Sequence, residues 1–147
     1  MTSRRRAPRK PSIVTVAKQH ERIFAEVFDG QLARDFRDLG ADRKPAVLAE
    51  VHFERPRFKT YEEFLAEVHS FISETMDAGY WVFQSQGEPF SFFFDLYISK
   101  LRSVGLALKA INTVPTDYHA GAVGVLLGYP YRSVVRYARR AAPTEFR

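Results

Sequence analysis

The spacing of apolar residues predicts helices and strands in succession along the chain. From Ile13 to Phe28, apolar side chains recur at helical spacing, and Gly30 follows as a stop. A second, shorter helix is predicted from Gln31 to Leu39, because a glycine comes directly after it. The beginning of the chain therefore predicts two helices separated by a short connection.

The segment AVLAEVHFE, residues 46–54, alternates in the manner of a strand. Because successive side chains of a strand point to opposite faces, the pattern predicts one buried face and one mixed face. The buried face would hold Val47, Ala49, Val51 and Phe53, and the mixed face Leu48, Glu50, His52 and Glu54. Pro56 ends the strand, since proline has no N–H to donate within a sheet.

The segment KTYEEFLAEVHSFISETMDAG, residues 59–79, predicts the clearest helix of the chain. Thr60 and Glu63 have the spacing of a capping box, in which each side chain satisfies a free backbone N–H of the first turn. Gly79 is predicted to end the helix. The buried stripe would consist of Phe64, Val68, Phe71 and Ile72.

Two strands joined by a turn are predicted next. The segment YWVFQSQ predicts a strand and GEP predicts a turn. FSFFFDLYIS is predicted to be the partner strand. The last of these segments also has a helical spacing that continues through LRSVGLALKAI, so we predict a strand to about Ile98 and a helix after it. Residues 80–98 contain no Lys or Arg. Their aromatic side chains therefore indicate a core, or a dimer interface where exposed, rather than a platform for stacking bases.

These elements predict a single α+β domain, mainly helical, with a small antiparallel sheet. The domain would span residues 13–147, with NTVPTD as a loop and residues 118–140 as a helix-turn-helix-like pair at its end. Residues 1–12 contain two prolines, five cations and almost no apolar side chain. Such a segment buries too little surface to offset its ordering entropy, so we expect a disordered basic arm.

The charge distribution adds a functional expectation. Residues 11–98 carry 9 basic and 15 acidic side chains, whereas residues 99–147 carry 8 basic and 2 acidic ones. An acidic middle with two basic ends favours a polyanionic partner, because Lys and Arg release counterions from a phosphate backbone. The alternative is a scatter of charges with no role beyond solubility.

The string GAVGVLLGYPYRSVVRYARR, residues 121–140, has the features of two short helices joined by a turn. Gly124 supplies a small residue where the helices cross, and Gly128 supplies a residue that can adopt a positive φ. Apolar side chains fill the angle between the helices at Val123, Leu127, Tyr129, Val134 and Tyr137. Pro130 lies in the turn, where its missing N–H costs little.

Residues 120–139 resemble the general helix-turn-helix pattern of bacterial and archaeal regulators. This resemblance implies DNA binding by the second helix, in the major groove. The implied contacts come from Tyr131, Arg132, Val135, Arg136 and Arg139. Phosphate contacts would come from Arg140 and from the arm residues Arg4, Arg5, Arg6, Arg9 and Lys10. Such a regulator usually reads two half-sites as a homodimer.

The LLGYP string is also similar to the tail of a family of uncharacterised bacterial proteins, and that similarity implies no function. The alternative hypothesis is accordingly a structural or protein-interaction module whose last helices pack on the core. The two hypotheses differ in whether Arg132, Arg136 and Arg139 form an exposed ridge. Pairing with Glu62, Glu67 or Asp77 would neutralise that ridge.

An enzyme is the minority expectation. The chain has no cysteine, which excludes thiolate chemistry, and it has no phosphate loop or nucleophile elbow. Glu50, His52 and Glu54 could hold a divalent ion only with a further ligand such as Glu67 or His69, so we expect a solvated strand face and no metal or cofactor. No apolar run is long enough for a membrane helix, and the expected location is the cytoplasm.

Overall fold

A computed structural model describes residues 11–85, 92–111, 125–128 and 132. In this part of the chain four α-helices pack on a three-stranded antiparallel sheet, which confirms the α+β class. The helices are α1 (Ile13–Gln19), α2 (Gln31–Gly40), α3 (Tyr61–Asp77) and α4 (Arg102–Ile111). The strands are β1 (Ala46–His52), β2 (Trp81–Gln84) and β3 (Phe93–Ser99), in the order β1-β3-β2.

The register of the sheet separates its side chains into two faces. Val47 lies opposite Ile98 across β1 and β3, and Ile98 lies opposite Val82 across β3 and β2. The first face therefore carries Val47, Ala49, Val51, Val82, Gln84, Phe94, Leu96 and Ile98. The second face carries Ala46, Leu48, Glu50, His52, Trp81, Phe83, Phe93, Asp95, Tyr97 and Ser99. The alternation predicted for residues 46–54 is confirmed along β1, whose first-face side chains are fully buried.

Helices α1, α2 and α3 cover the first face and enclose the larger core. Phe24, Phe36 and Phe71 meet there, with ring centroids 5.4 to 6.4 Å apart. The predicted ends of α3 are confirmed, because the Thr60 hydroxyl accepts a hydrogen bond from the Glu63 N–H and Gly79 has a φ of 101°. The Glu63 carboxylate accepts from the N–H of Lys59, one residue before the position that a capping box predicts.

The prediction of a helix from Ile13 to Phe28 is wrong beyond Gln19. A short 3-10 helix, Glu21–Ile23, follows α1, and Phe24 then adopts an extended conformation and forms a β-bridge with Val51. The N–H of Ala25 donates to the carbonyl of Glu50 at 3.0 Å. The apolar side chains that suggested one long helix are thus buried by two different elements, because hydrogen bonding to the edge of β1 replaces the helical pattern.

Helix α4 covers part of the second face and encloses a smaller core. Ala46, Tyr97, Leu108 and Leu127 are buried together there. The predicted hairpin of β2 and β3 is confirmed, as is the change from strand to helix after Ile98. The turn GEP lies outside the described residues.

Two predicted segments at the ends of the chain lie largely outside the described residues as well. Of the proposed arm, Pro11 and Ser12 are described, and the Ser12 hydroxyl caps α1 by accepting a hydrogen bond from the Thr15 N–H. The loop NTVPTD is not among the described residues, and residues 118–140 are described only at 125–128 and 132.

Candidate nucleic-acid interface

The turn at Gly128 lies in the longest described segment of the proposed helix-turn-helix, residues 125–128. Val125 and Leu126 are helical, and the Gly128 N–H donates to the Val125 carbonyl at 3.0 Å. The predicted positive φ of Gly128 is confirmed at 79°. A Cβ at this position would lie 2.6 Å from the Cδ of Pro45, so both the backbone conformation and the close approach of Pro45 require glycine.

Leu127 attaches this turn to the rest of the domain. Its side chain is buried against Ala46, Tyr97 and Leu108, on the second face of the sheet. Leu127 was predicted to fill the angle between the two helices, and it is the described member of that apolar set. The other members, Val123, Tyr129, Val134 and Tyr137, lie outside the described residues, as does Gly124.

Arg132 is helical and exposed, as a groove-contacting arginine would need to be. It is the member of the predicted interface that falls within the described part of the chain. The remaining predicted contacts are outside that part: Tyr131, Val135, Arg136, Arg139 and Arg140, together with Arg4, Arg5, Arg6, Arg9 and Lys10.

The acidic residues that could neutralise an arginine ridge lie on α3. Glu67 accepts hydrogen bonds from Arg22 and His20, so its carboxylate is already engaged. Burial acts to raise the pKa of Glu67, but the hydrogen bonds from Arg22 and His20 outweigh it and the pKa is lowered. Helix α3 packs on the first face of the sheet, whereas Leu127 packs on the second. Among the described residues, neither Glu62, Glu67 nor Asp77 forms an ion pair with Arg132.

Helix α4 brings positive charge to the second face. It carries Arg102 and Lys109 and no acidic residue. The guanidinium of Arg102 lies 5.8 Å from the centre of the Trp81 ring, over the end of β2. A positive helix thus packs against the turn that contains Leu127.

The aromatic segment predicted as core is divided between core and surface. Tyr80 and Phe94 are buried, but Trp81, Phe92 and Phe93 are 42%, 59% and 60% exposed. The Trp81 and Phe83 rings stack with their planes 7° apart. A protein-interaction surface is therefore considered beside nucleic-acid binding, because aromatic side chains are enriched at interfaces.

The polar part of the second face has a carboxylate pair that sequence reasoning missed. Asp95 lies directly opposite Glu50 across β1 and β3. Burial, followed by the nearby charge of Glu50, raises the pKa of Asp95. Burial and the charge of Asp95 raise the pKa of Tyr97 to about 12, and the buried Tyr97 hydroxyl has no hydrogen-bond partner among the described residues. The alternation of each strand predicts which face a carboxylate lies on. Only the register between β1 and β3 shows that Glu50 and Asp95 lie opposite each other.

The candidate metal ligands do not assemble. His52 Nδ1 lies 3.5 Å from a Glu54 oxygen, but His69 is exposed on α3, across the sheet. In the segments that the structure describes, no three His, Asp or Glu side chains are grouped so that they could hold a metal ion.

Comparison with known proteins gives no relative from which a function could be transferred: no family model, curated protein or solved structure matches the chain. Among the described helices, none has the length and apolar character needed to cross a membrane.

Proposed function

We propose that this protein binds DNA through its C-terminal helical pair and its basic N-terminal arm. The observation that carries the proposal is the turn at Gly128. A helical segment there ends at a glycine with positive φ, is attached to the domain by buried Leu127, and is followed in the sequence by a helical, exposed Arg132. This succession is what a helix-turn-helix needs to present its second helix to a groove.

The distribution of charge supports the same surface. Arg102 and Lys109 in α4 lie on the side of the sheet from which the turn extends, and no acidic residue lies between Asp117 and Glu145. The acidic side chains of α3 lie across the sheet from α4 and the turn, so they would not repel a phosphate backbone there, although Glu50 and Asp95 lie on the second face itself.

The proposal assigns different tasks to different side chains. Arg132, Arg136 and Arg139 grip the groove, with Tyr131 and Val135 beside them. Arg140 and the arm residues Arg4, Arg5, Arg6, Arg9 and Lys10 contact phosphates. A role as a transcriptional regulator, working as a homodimer on two half-sites, is the form of DNA binding that this arrangement favours.

The test is fluorescence anisotropy of labelled random-sequence duplex DNA at several salt concentrations. The intact protein should bind with a strong salt dependence. The triple variant Arg132→Ala, Arg136→Ala, Arg139→Ala should lose most of the affinity, and the salt slope should fall by about 0.9 for each of these arginines that also contacts a phosphate. Deletion of residues 1–10 should weaken binding less than the triple variant.

The matched control removes the same charge from residues outside the proposed interface. Arg34, Arg37 and Arg55 are exposed, and within the described residues they form no ion pair. The variant Arg34→Ala, Arg37→Ala, Arg55→Ala should therefore keep nearly all of the DNA affinity. Equal losses in both triple variants would reduce the binding to a general effect of net charge, and binding that depends only on the arm would refute the helix-turn-helix assignment.

A protein-interaction module is the second candidate. It is favoured by the exposed Trp81, Phe92 and Phe93 and by the packing of Leu127 back onto the domain. Light scattering of the intact protein and of Trp81→Ala would distinguish the two. A dimer that dissociates in the variant, together with no DNA binding at low salt, would favour this candidate.

A further inference from the structure

A cavity of about 240 Å³ lies between α2, the chain entering β1, and the turn that contains Leu127. It is formed by residues that are distant in sequence, from three separate segments of the described chain. Its lining consists of Glu26, Gln31, Leu32, Asp35, Lys44, Leu48 and Leu127. None of these residues has a part in the proposed DNA contacts, except that Leu127 supports the turn.

Charged side chains form one wall of this cavity. Asp35 and Lys44 are 8% and 9% exposed, and the Asp35 Oδ1 atom accepts hydrogen bonds from Lys44 Nζ at 3.2 Å and from Gln31 Nε2 at 2.8 Å. Both hydrogen bonds are to Oδ1 of Asp35, and neither uses the Oδ2 atom. Glu26 adds a second carboxylate, and among the described residues it forms no ion pair. With two carboxylates and one ammonium group, the lining has a net negative charge.

Apolar side chains form the other wall. Leu32, Leu48 and Leu127 line it, from α2, β1 and the C-terminal turn respectively. Leu32 and Leu127 are each 6% exposed, so most of each side chain is packed within the domain. A simple metal ion would leave this wall in contact with water, whereas a hydrocarbon body would cover it.

The volume of about 240 Å³ is large enough for several water molecules. It therefore has room for a compact organic molecule of about seven or eight non-hydrogen atoms.

We propose that this cavity binds a small organic cation, a primary ammonium group on a compact hydrocarbon body. The ammonium group donates to Glu26 and to the Asp35 Oδ2 atom, and the hydrocarbon body lies against Leu32, Leu48 and Leu127. Lys44 is held by Asp35 and completes the polar wall. This inference goes beyond DNA binding and does not depend on it.

The test is a two-dimensional amide NMR titration of the intact protein with three probes that share one ring. Cyclohexylammonium, cyclohexanol and cyclohexanecarboxylate have closely similar hydrocarbon bodies and differ in charge. Cyclohexylammonium should give saturable shifts at Gln31, Asp35 and Leu48, with a dissociation constant about tenfold lower than that of cyclohexanol, because only the cation gains a charge-assisted hydrogen bond. Cyclohexanecarboxylate should bind most weakly of the three.

Two glutamate variants separate this site from general electrostatic attraction. Glu26→Gln should weaken cyclohexylammonium binding about threefold to tenfold and leave cyclohexanol binding unchanged. Glu62→Gln removes an equal charge from α3, on the other side of the sheet, and should leave both probes unchanged. Since both residues are exposed, neither variant should alter folding, which thermal unfolding would verify.

Three results would overturn the proposal. One is tighter binding of the carboxylate probe than of the ammonium probe, which would assign the cavity to anions through Lys44. Another is equal weakening by Glu26→Gln and Glu62→Gln. The third is the absence of saturable amide shifts around the cavity over the range of probe concentrations used.

Discussion

The two faces of the sheet differ in both packing and charge. On the first face, α1, α2 and α3 enclose a large core rich in phenylalanine, and α3 carries five acidic residues and no Lys or Arg. On the second face, α4 encloses a small core around Tyr97 and Leu108, and α4 carries two basic residues and no acidic one. Most of the buried apolar surface thus stabilises the domain from one side. The second face instead has the positive charge of α4, the exposed rings of Trp81 and Phe93, and the carboxylates of Glu50 and Asp95. Exposed aromatic and charged side chains are properties of a binding surface.

Two carboxylates show the same difference in their electrostatics. Glu67, on the first-face side, has a lowered pKa because the hydrogen bonds from Arg22 and His20 outweigh the opposing effect of burial. Asp95, on the second face, has a raised pKa because burial and the charge of Glu50 both oppose its ionisation. Glu67 is therefore engaged with cations on the first-face side, whereas Asp95 has no cationic partner among the described residues.

A matched pair of leucine truncations should give the largest effect and test the difference in packing. Leu39 and Leu108 are each 1% exposed, but they belong to the large and the small core respectively. We expect Leu39→Ala to lower the free energy of unfolding by about 4 kcal/mol and Leu108→Ala by about 2 kcal/mol, because a site with fewer fixed neighbours relaxes more easily. Urea denaturation of both variants measures this. A larger loss of stability in Leu108→Ala than in Leu39→Ala would contradict the assignment of the larger core to the first face.

A smaller effect is expected where α1 and α3 are joined. The ring of His20 donates to Glu67 at 3.0 Å through Nδ1, faces Glu74 through Nε2 and is 8% exposed. His20→Ala should cost about 2 kcal/mol, because two carboxylates lose their donor and the ring leaves a gap beside Phe71. His69→Ala removes an exposed histidine from α3 and should change the free energy of unfolding by less than about 0.5 kcal/mol. Equal changes in the free energy of unfolding for the two variants would show that the contacts of His20 with Glu67 and Glu74 do not stabilise the packing of α1 on α3.

The contact of α4 with β2 should give an effect of about 1 to 2 kcal/mol. A Cβ at Gly105 would lie 2.6 Å from the Phe83 ring, so Gly105→Ala should destabilise the domain although alanine favours a helix. In a Phe83→Ala background the ring is removed, and Gly105→Ala should instead stabilise by about 0.5 to 1 kcal/mol. A double-mutant cycle by urea denaturation checks the change of sign. The same sign in both backgrounds would mean that α4 does not lie against Phe83.

The pH dependence should give the smallest effect, with opposite signs on the two faces. Folding raises the pKa of Asp95 above 3.8, so its contribution is full below that value and is lost as pH rises through the higher folded pKa. Folding lowers the pKa of Glu67 below 4.5, so its contribution is full above that value and is lost as pH falls through the lower folded pKa.

Denaturation curves of Asp95→Asn and Glu67→Gln, each compared with the intact protein, measure these contributions. Between about pH 3.5 and about pH 7, Asp95→Asn should gain stability relative to the intact protein, whereas Glu67→Gln should lose it. Slopes of the same sign would contradict the electrostatic difference between the two faces.

The sequence by itself determined the elements whose signals are local. The alternation of residues 46–54, the Thr60 cap, the stop at Gly79 and the positive φ of Gly128 all depend on residues within a few positions of each other. The change from strand to helix after Ile98 was also predictable, because one periodicity ends where the other continues.

Tertiary structure decided the features that need partners distant along the chain. The end of α1 at Gln19 depends on the bridge from Phe24 to Val51, and hydrogen bonding to a sheet edge has no local pattern. The pairing of Glu50 with Asp95 depends on the register, and the cavity beside Asp35 and Lys44 depends on three segments meeting. Short-range sterics and capping fix conformation within a segment, whereas burial and strand pairing choose which segments meet.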